Sequence, residues 1–442
     1  MKRFWRNLAC FSVILAALFA VGCGNTPGTG GGRGDRTQVR IWIQSTNQPD
    51  YFMGWFENAF ETENPEIDLK FEPQATSTLQ TNLDVSLPSD PSIDMVATWG
   101  GTVLPMLVTG NRVMDLSEVL DPLEENMEEK ALLNKVGGKH YGAPIYGFTN
   151  VIYYNKTVFD QNGWQAPTTY EQFKELCSDI VALRDGSGSQ RFQTTVTGYS
   201  YHVMQSLHGL TMTEEELNAI LEPYSAEAPN PFASDSFING FEWLAEMVED
   251  NIFAQNISGY TAQTAASDFT TQKALMISCP SSDLMELSLT CQFEIGAFAW
   301  PSAPVGYAPG GVPVNTVAGV YTDVLCVNAL TQHYDECKKV LQFLYSDQAQ
   351  QQLLNTYQYP VIKNTSAENV DAGVLAVFDT AFKPIYDVIS QNGMSLYYMV
   401  YYRDSGISAN LEQGFKAIAN ASAADRQNQV NRVTGEIQLL WK

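Results

Sequence analysis

Strand-like and helix-like hydrophobic patterns alternate along this chain from Gln38 almost to its last residue, and such alternation confines it to an α/β architecture. Gln38 to Ile43, with Val39, Ile41, Trp42 and Ile43 apolar, reads as a buried first strand leading into a polar loop from Gln44 to Asp50. Phe52, Trp55, Phe56, Ala59 and Phe60 then fall at i, i+3, i+4, i+7 and i+8, the stripe of one helix face. Ile67 to Phe71 and Ile93 to Ala97 read as the next strands, the second running into Thr98, Trp99, Gly100 and Gly101. Behind Pro167, Thr168 and Glu171 have capping-box spacing and predict a helix through Phe173, Leu176 and Ile180. Ala274 to Ser278, Glu294 to Ala299 and Val324 to Asn328 are further strands, and Val430, Val433, Ile437, Leu440 and Trp441 share a face of a closing helix. No internal repeat is visible. A chain of 442 residues exceeds what a single hydrophobic core usually serves, so two lobes are expected.

The N-terminus carries an export signal. Lys2, Arg3 and Arg6 precede an apolar run from Leu8 to Val21, which is shorter than the ~20 residues a membrane-spanning helix needs. The run ends in Ala20-Val21-Gly22-Cys23, which resembles a bacterial lipobox, with Ala20 where such signals usually have Leu. That resemblance implies cleavage before Cys23 and lipidation of its sulfur, with acyl chains that hold the protein at the membrane. The glycine-rich stretch 24–36 then reads as a flexible tether, with no strand before it and no phosphate-loop spacing. Cys177, Cys279, Cys291, Cys326 and Cys337 remain; they include no C-x-x-C pair, and their odd number leaves at least one thiol free.

Charge and motifs exclude several functions. The 49 acidic and 25 basic residues make a surface of formal charge -24, which repels nucleic acid. His140, His202, His208 and His333 have no metalloprotease spacing, and no nucleophile elbow or P-loop occurs, so neither a catalytic residue, a metal nor a cofactor is expected. His140 reads as an exposed loop residue. The run from Asp185 to Ser189 begins like a calcium loop, but its twelfth position would be Val196 rather than Glu, so it reads as a solvated turn. Glu214 to Glu216 and Glu124-Glu125 read as solvated helix faces.

Lys139 to Pro144, Tyr153 to Lys156, Phe159, Gly163, Pro167-Thr168 and Tyr170 to Phe173 together resemble the signature of the family 1 bacterial extracellular solute-binding proteins. Lys273 to Met276, the Pro-rich segment after Trp300, Lys338 to Gln350 and Tyr359-Pro360 follow in that family's order; Cys279 to Ser282 departs from it, where Gly and Trp are usual. The resemblance implies a periplasmic-binding-protein-like fold of type 2, an α/β fold of two lobes with a ligand cleft between them. It further implies a monomer on the outer face of the cytoplasmic membrane that captures a carbohydrate and hands it to ABC transporter permease subunits. One lobe should combine 37–148 with 320–385, the other 149–319 with 386–442, and Ala143 to Asn150 should carry the first crossing between them.

A sugar offers C–H faces to aromatic rings and hydroxyls to small polar side chains, which places the candidate contacts at strand ends. These are Gln44, Ser45 and Asn47 after the first strand, and Trp99 with Gly100 after the third. Tyr146 and Asn150 flank the first crossing and Tyr321 precedes a strand at the second, while Ser281, Ser282 and Asp283 stand where the family places a ligand-facing residue. Tyr397 and Tyr398 belong to a cluster with Tyr401 and Tyr402, not all of which can point into one cleft. Binders of peptides, polyamines or iron share this pattern, and an anchored carbohydrate-active enzyme would need a carboxylate pair.

Overall fold

Two strands, each changing partners midway, organise the whole molecule. The computed structural model describes residues 36–45, 51–75, 78–101, 103–222, 225, 227–398 and 406–441. The export signal, Cys23, the tether up to residue 35, Asn47, Tyr401 and Tyr402 lie outside these residues, as does the side chain of Ser45. Thr37 to the C-terminal end forms one compact unit. Its strands in chain order are β1 (Thr37–Ser45), β2 (Ile67–Ala75), β3 (Met95–Trp99), β4 (Ala143–Asn155), β5 (Gln193–Val196), β6 (Ala274–Pro280), β7 (Ile295–Phe298), β8 (Val317–Val327) and β9 (Met394–Leu396).

They are ordered β2-β1-β3-β8-β4-β6-β5, with β7 on β4 and β9 on β8. β1 pairs in parallel with β2 and β3, as the helical crossovers between them require, while β3 and β4 both run antiparallel to β8. Ala143 to Thr149 of β4 pairs with β8; from Asn150 onward the same strand pairs with β6 and β7. β8 likewise holds β3 through Asp323 to Val327 and β9 through Val317 to Gly319. At ~3.3 Å per residue, a 13-residue strand is long enough to serve both sheets.

The ladder between β4 and β8 shifts register on either side of Tyr146. Pro144 removes one amide donor there, and Gly147 turns its backbone to Tyr359 instead, donating to the Tyr359 carbonyl at 2.8 Å and accepting from its amide at 3.0 Å. A Cβ on Gly147 would stand 2.5 Å from Cε1 of Tyr321, so only glycine lets the two strands approach.

Helices cover both sheets. In the helix Tyr51–Glu63 the stripe buries Phe52, Phe56 and Phe60, with Met53 beside them and Trp55 and Ala59 half-buried. Phe343 packs edge-on against Phe56 and Phe60 at 5.0 and 5.6 Å between ring centres. Local chemistry moved some boundaries. The capping box of the helix Tyr170–Ala182 is Thr169 with Gln172, one residue beyond Thr168 and Glu171, because Thr169 has the extended backbone an N-cap needs. The strand expected from Val324 already begins at Val317. His140 is buried rather than exposed, with Nε2 2.7 Å from Glu124 Oε1. Asp185 makes the expected turn: its Oδ1 accepts from the Ser187 and Ser189 amides at 2.8 and 3.0 Å. The five cysteines are free thiols. No described helix is long and apolar enough to cross a membrane.

Candidate ligand-binding site

A cleft of about 1090 Å³ opens where the two sheets meet. One wall comes from the carboxyl ends of β1 and β3, which supply Gln44 and Trp99, and from the shared strands, which supply Tyr146, Phe148, Thr322 and Asp323. The other comes from the end of β6 and the helical turns after it, with Ser282, Asp283 and Glu286, and from Tyr199, Tyr201 and His202 at the start of the helix Ser200–Thr211. Side chains cluster there because parallel strands end in loops that no neighbouring strand covers.

Two carboxylates on the second wall are tied to tyrosines. Asp283 accepts a hydrogen bond from the Tyr199 hydroxyl; burial nevertheless pushes its carboxyl up to about 6. Burial also drives the Tyr199 hydroxyl upward, with the charge of Asp283 adding to it, so Tyr199 stays a donor. Across the cleft, Tyr51 donates to Glu286 Oε2 at 3.2 Å, and burial followed by that bond raises its own hydroxyl. Asp283 and Glu286 are three residues apart on one helical run, so their side chains leave the same face. His202 is buried beside the Tyr397 hydroxyl, and burial lowers it to about 3, which keeps its ring neutral. Cys279 reaches the same wall, but burial holds its thiol protonated and therefore a poor nucleophile. The arrangement offers ring faces, acceptors and amide oxygens: groups that hold a polyhydroxylated molecule.

Of the residues expected at the site, Gln44, Trp99, Tyr146, Ser282 and Asp283 line the cleft. Gly100 does not; its amide donates to the Thr322 carbonyl at 2.7 Å and its α-carbon sits against Asn134. Asn150 is buried, donating to Ser206 and Ser278 at 3.2 and 3.1 Å, and Ser281 accepts from the Thr149 amide at 3.2 Å behind the wall. Tyr321 points to the opposite face of β8 from Thr322, as strand neighbours must, and donates to the Pro360 carbonyl at 3.1 Å. Tyr397 and Tyr398 are fully buried on His202 and His208 and serve the core. Tyr51, Tyr199, Tyr201, Glu286, Asp323 and Glu412 were not anticipated. Asp323 carried a readable signal, as a lone acid in an otherwise apolar strand; Glu286 carried another, three residues after Asp283.

Among the described residues, one group has the chemistry of a metal site: Asp121, Glu124 and His140, whose ligand atoms lie within 4.8 Å of one another. None of them lines the cleft, and the Lys135 ammonium, 2.5 Å from Glu124 Oε1, already neutralises that carboxylate.

The family model described as "Bacterial extracellular solute-binding protein" matches residues 56–375. The chain belongs to that family. As one of these solute-binding proteins it is an extracytoplasmic protein, and its relatives are binding proteins rather than enzymes. It is 24% identical over 339 residues to the multiple sugar-binding protein of Streptococcus mutans, covering 73% of this chain and 74% of the relative. Among solved structures it is similar to RafE in complex with raffinose, with a TM-score of 0.68 at 18% identity, over 92% of this chain and all of the other. A probable secreted solute-binding lipoprotein from Streptomyces coelicolor gives a TM-score of 0.69 at 16% identity, over 90% of this chain and 99% of the other. The shared architecture is the two-lobed α/β periplasmic-binding-protein fold with its cleft between lobes.

Proposed function

We propose that this chain captures a carbohydrate outside the cytoplasm and delivers it to the permease of an ABC importer, without chemical turnover. The observation that carries the reading is the cleft: Trp99, Tyr51, Tyr146, Tyr199 and Tyr201 offer rings, with acceptors between them. A sugar presents C–H faces and hydroxyls in the same alternation. The relatives support the class of ligand, since one is a multiple sugar-binding protein and a structural neighbour holds raffinose. A cleft of about 1090 Å³ stands just above the ~300–1,000 Å³ usual for small-molecule sites, which favours an oligosaccharide over a single sugar unit.

In this reading the lobes are 37–148 with 320–385 and 149–319 with 386–442, the division falling where β4 and β8 exchange partners. Cys23 carries the lipid anchor, 24–36 is the tether, and the protein works as a monomer at the outer face of the cytoplasmic membrane. A second reading draws on the carboxylates of the second wall: a polyamine would also bind between acids and rings. A thermal-shift screen with oligosaccharides, peptides and polyamines decides, because a ligand at 100-fold its Kd adds ~2.7 kcal/mol of stability. Stabilisation by saccharides alone supports the proposal. Stabilisation by a polyamine or peptide, with no saccharide active, overturns it.

A further inference from the structure

The cleft's charge is one-sided. Asp283, Glu286, Asp323 and Glu412 line it, and no Lys or Arg does among the described residues. These carboxylates are not equivalent. Glu412 is already neutralised by Lys416, its Oε1 2.5 Å from the ammonium. Asp283 and Glu286 take hydrogen bonds from the neutral hydroxyls of Tyr199 and Tyr51. Three residues apart on the helical run that follows β6, both line the cleft.

A neutral sugar needs acceptors for its hydroxyls, but amides and serines supply those without the desolvation cost of carboxylates. Two anions kept half-buried at a binding wall suit a ligand that brings positive charge. A protonated amine there makes charge-assisted hydrogen bonds roughly twice as strong as neutral ones. Tyr51, Tyr199 and Tyr201 line the same cleft, and aromatic rings attract cations. A uronate at the same place meets like charges with no described cation to offset them. We propose that this cleft selects a saccharide bearing a protonated amine, seated against Asp283 and Glu286, and rejects saccharides bearing uronic acids. This rests on the carbohydrate reading and sharpens it to a charge class.

The test is titration calorimetry of the intact protein with three trisaccharides on one β-1,4-linked glucose backbone: cellotriose, the chitosan trisaccharide and the glucuronan trisaccharide. The aminated sugar should bind about ten-fold or more tighter than the neutral one, with an advantage that shrinks as salt rises, and the uronate should give no measurable heat. Asp283→Asn combined with Glu286→Gln should compress the difference between aminated and neutral sugars to about three-fold or less, in a protein whose ligand-free melting shows it folded. An aminated sugar no tighter than the neutral one, a uronate as tight as either, or a variant that keeps the wild-type ranking overturns the inference and leaves the carbohydrate reading standing. No heat from any of the three, with heat from spermidine, overturns the carbohydrate reading and this inference with it.

Discussion

Trp99 closes β3 with its ring half-buried on the cleft wall, while Val96 and Thr98 before it are buried. A ring that is packed on one side and open on the other is suited to a sugar face, since it loses little freedom when the ligand arrives. Trp99→Ala should weaken saccharide binding by about 1–3 kcal/mol while the ligand-free melting temperature stays near wild type. Unchanged affinity in calorimetry removes Trp99 from the site. Asp283 makes a prediction of another kind. Its folded carboxyl is raised to about 6, above the ~3.9 of an exposed aspartate, so folding favours its protonated form. That contribution is fully present below about pH 4 and is lost as pH rises through about 6, leaving an ionised, partly desolvated group at neutral pH. Asp283→Asn should therefore stabilise the ligand-free protein at pH 7 by on the order of 1–2 kcal/mol, discounted for solvent screening, and by little at pH 4. Denaturant melts at both pH values check this, and an equal effect at both would show that burial does not strain this carboxylate. A site residue that costs stability is what binding, rather than folding, would retain.

Among the elements, β4 and β8 carry the most, because each belongs to both halves of the molecule. Their close approach depends on Gly147, whose missing Cβ leaves room for the Tyr321 ring, itself held by the Pro360 carbonyl at 3.1 Å. Tyr321 thus acts as packing at the crossing: expected ahead of the strand, it lies within β8 and faces away from the cleft. Gly147→Ala should overpack this junction and cost about 1–3 kcal/mol in urea unfolding. A substitution without effect would mean that the β4 and β8 backbones separate freely there. The helix Tyr170–Ala182 teaches the same lesson on a smaller scale. A Thr followed three residues later by an acid or amide announced its start correctly, but two adjacent threonines allow two registers. The observed one, Thr169 with Gln172, follows from which threonine has extended backbone after Pro167, and composition does not encode that.

At the scale of the whole molecule, two strands shared between sheets make few hinges, so closure should be a rotation that leaves each half's core unchanged. Saturating saccharide should lower the radius of gyration in small-angle scattering, since only a ligand that binds the closed form better can shift the equilibrium. Binding without compaction would place the ligand on one wall alone. Cys23→Ala should move the protein from the membrane fraction to the soluble one, because its acyl chains are the proposed hold on the bilayer. A variant that still sediments with membranes counts against the lipobox. The sequence alone determined the α/β class, the strands β1, β2, β3, β6 and β7, and the residues at the ends of β1, β3 and β6, since hydrophobic period and turn chemistry act over a few neighbours. Gln44, Trp99 and Asp283 were legible in that way. Only the tertiary structure decided that Tyr51 meets Glu286, 235 residues away, and that Tyr397 and Tyr398 turn inward to His202 and His208. Those choices depend on which faces remain open after distant strands have paired, and no local pattern records that.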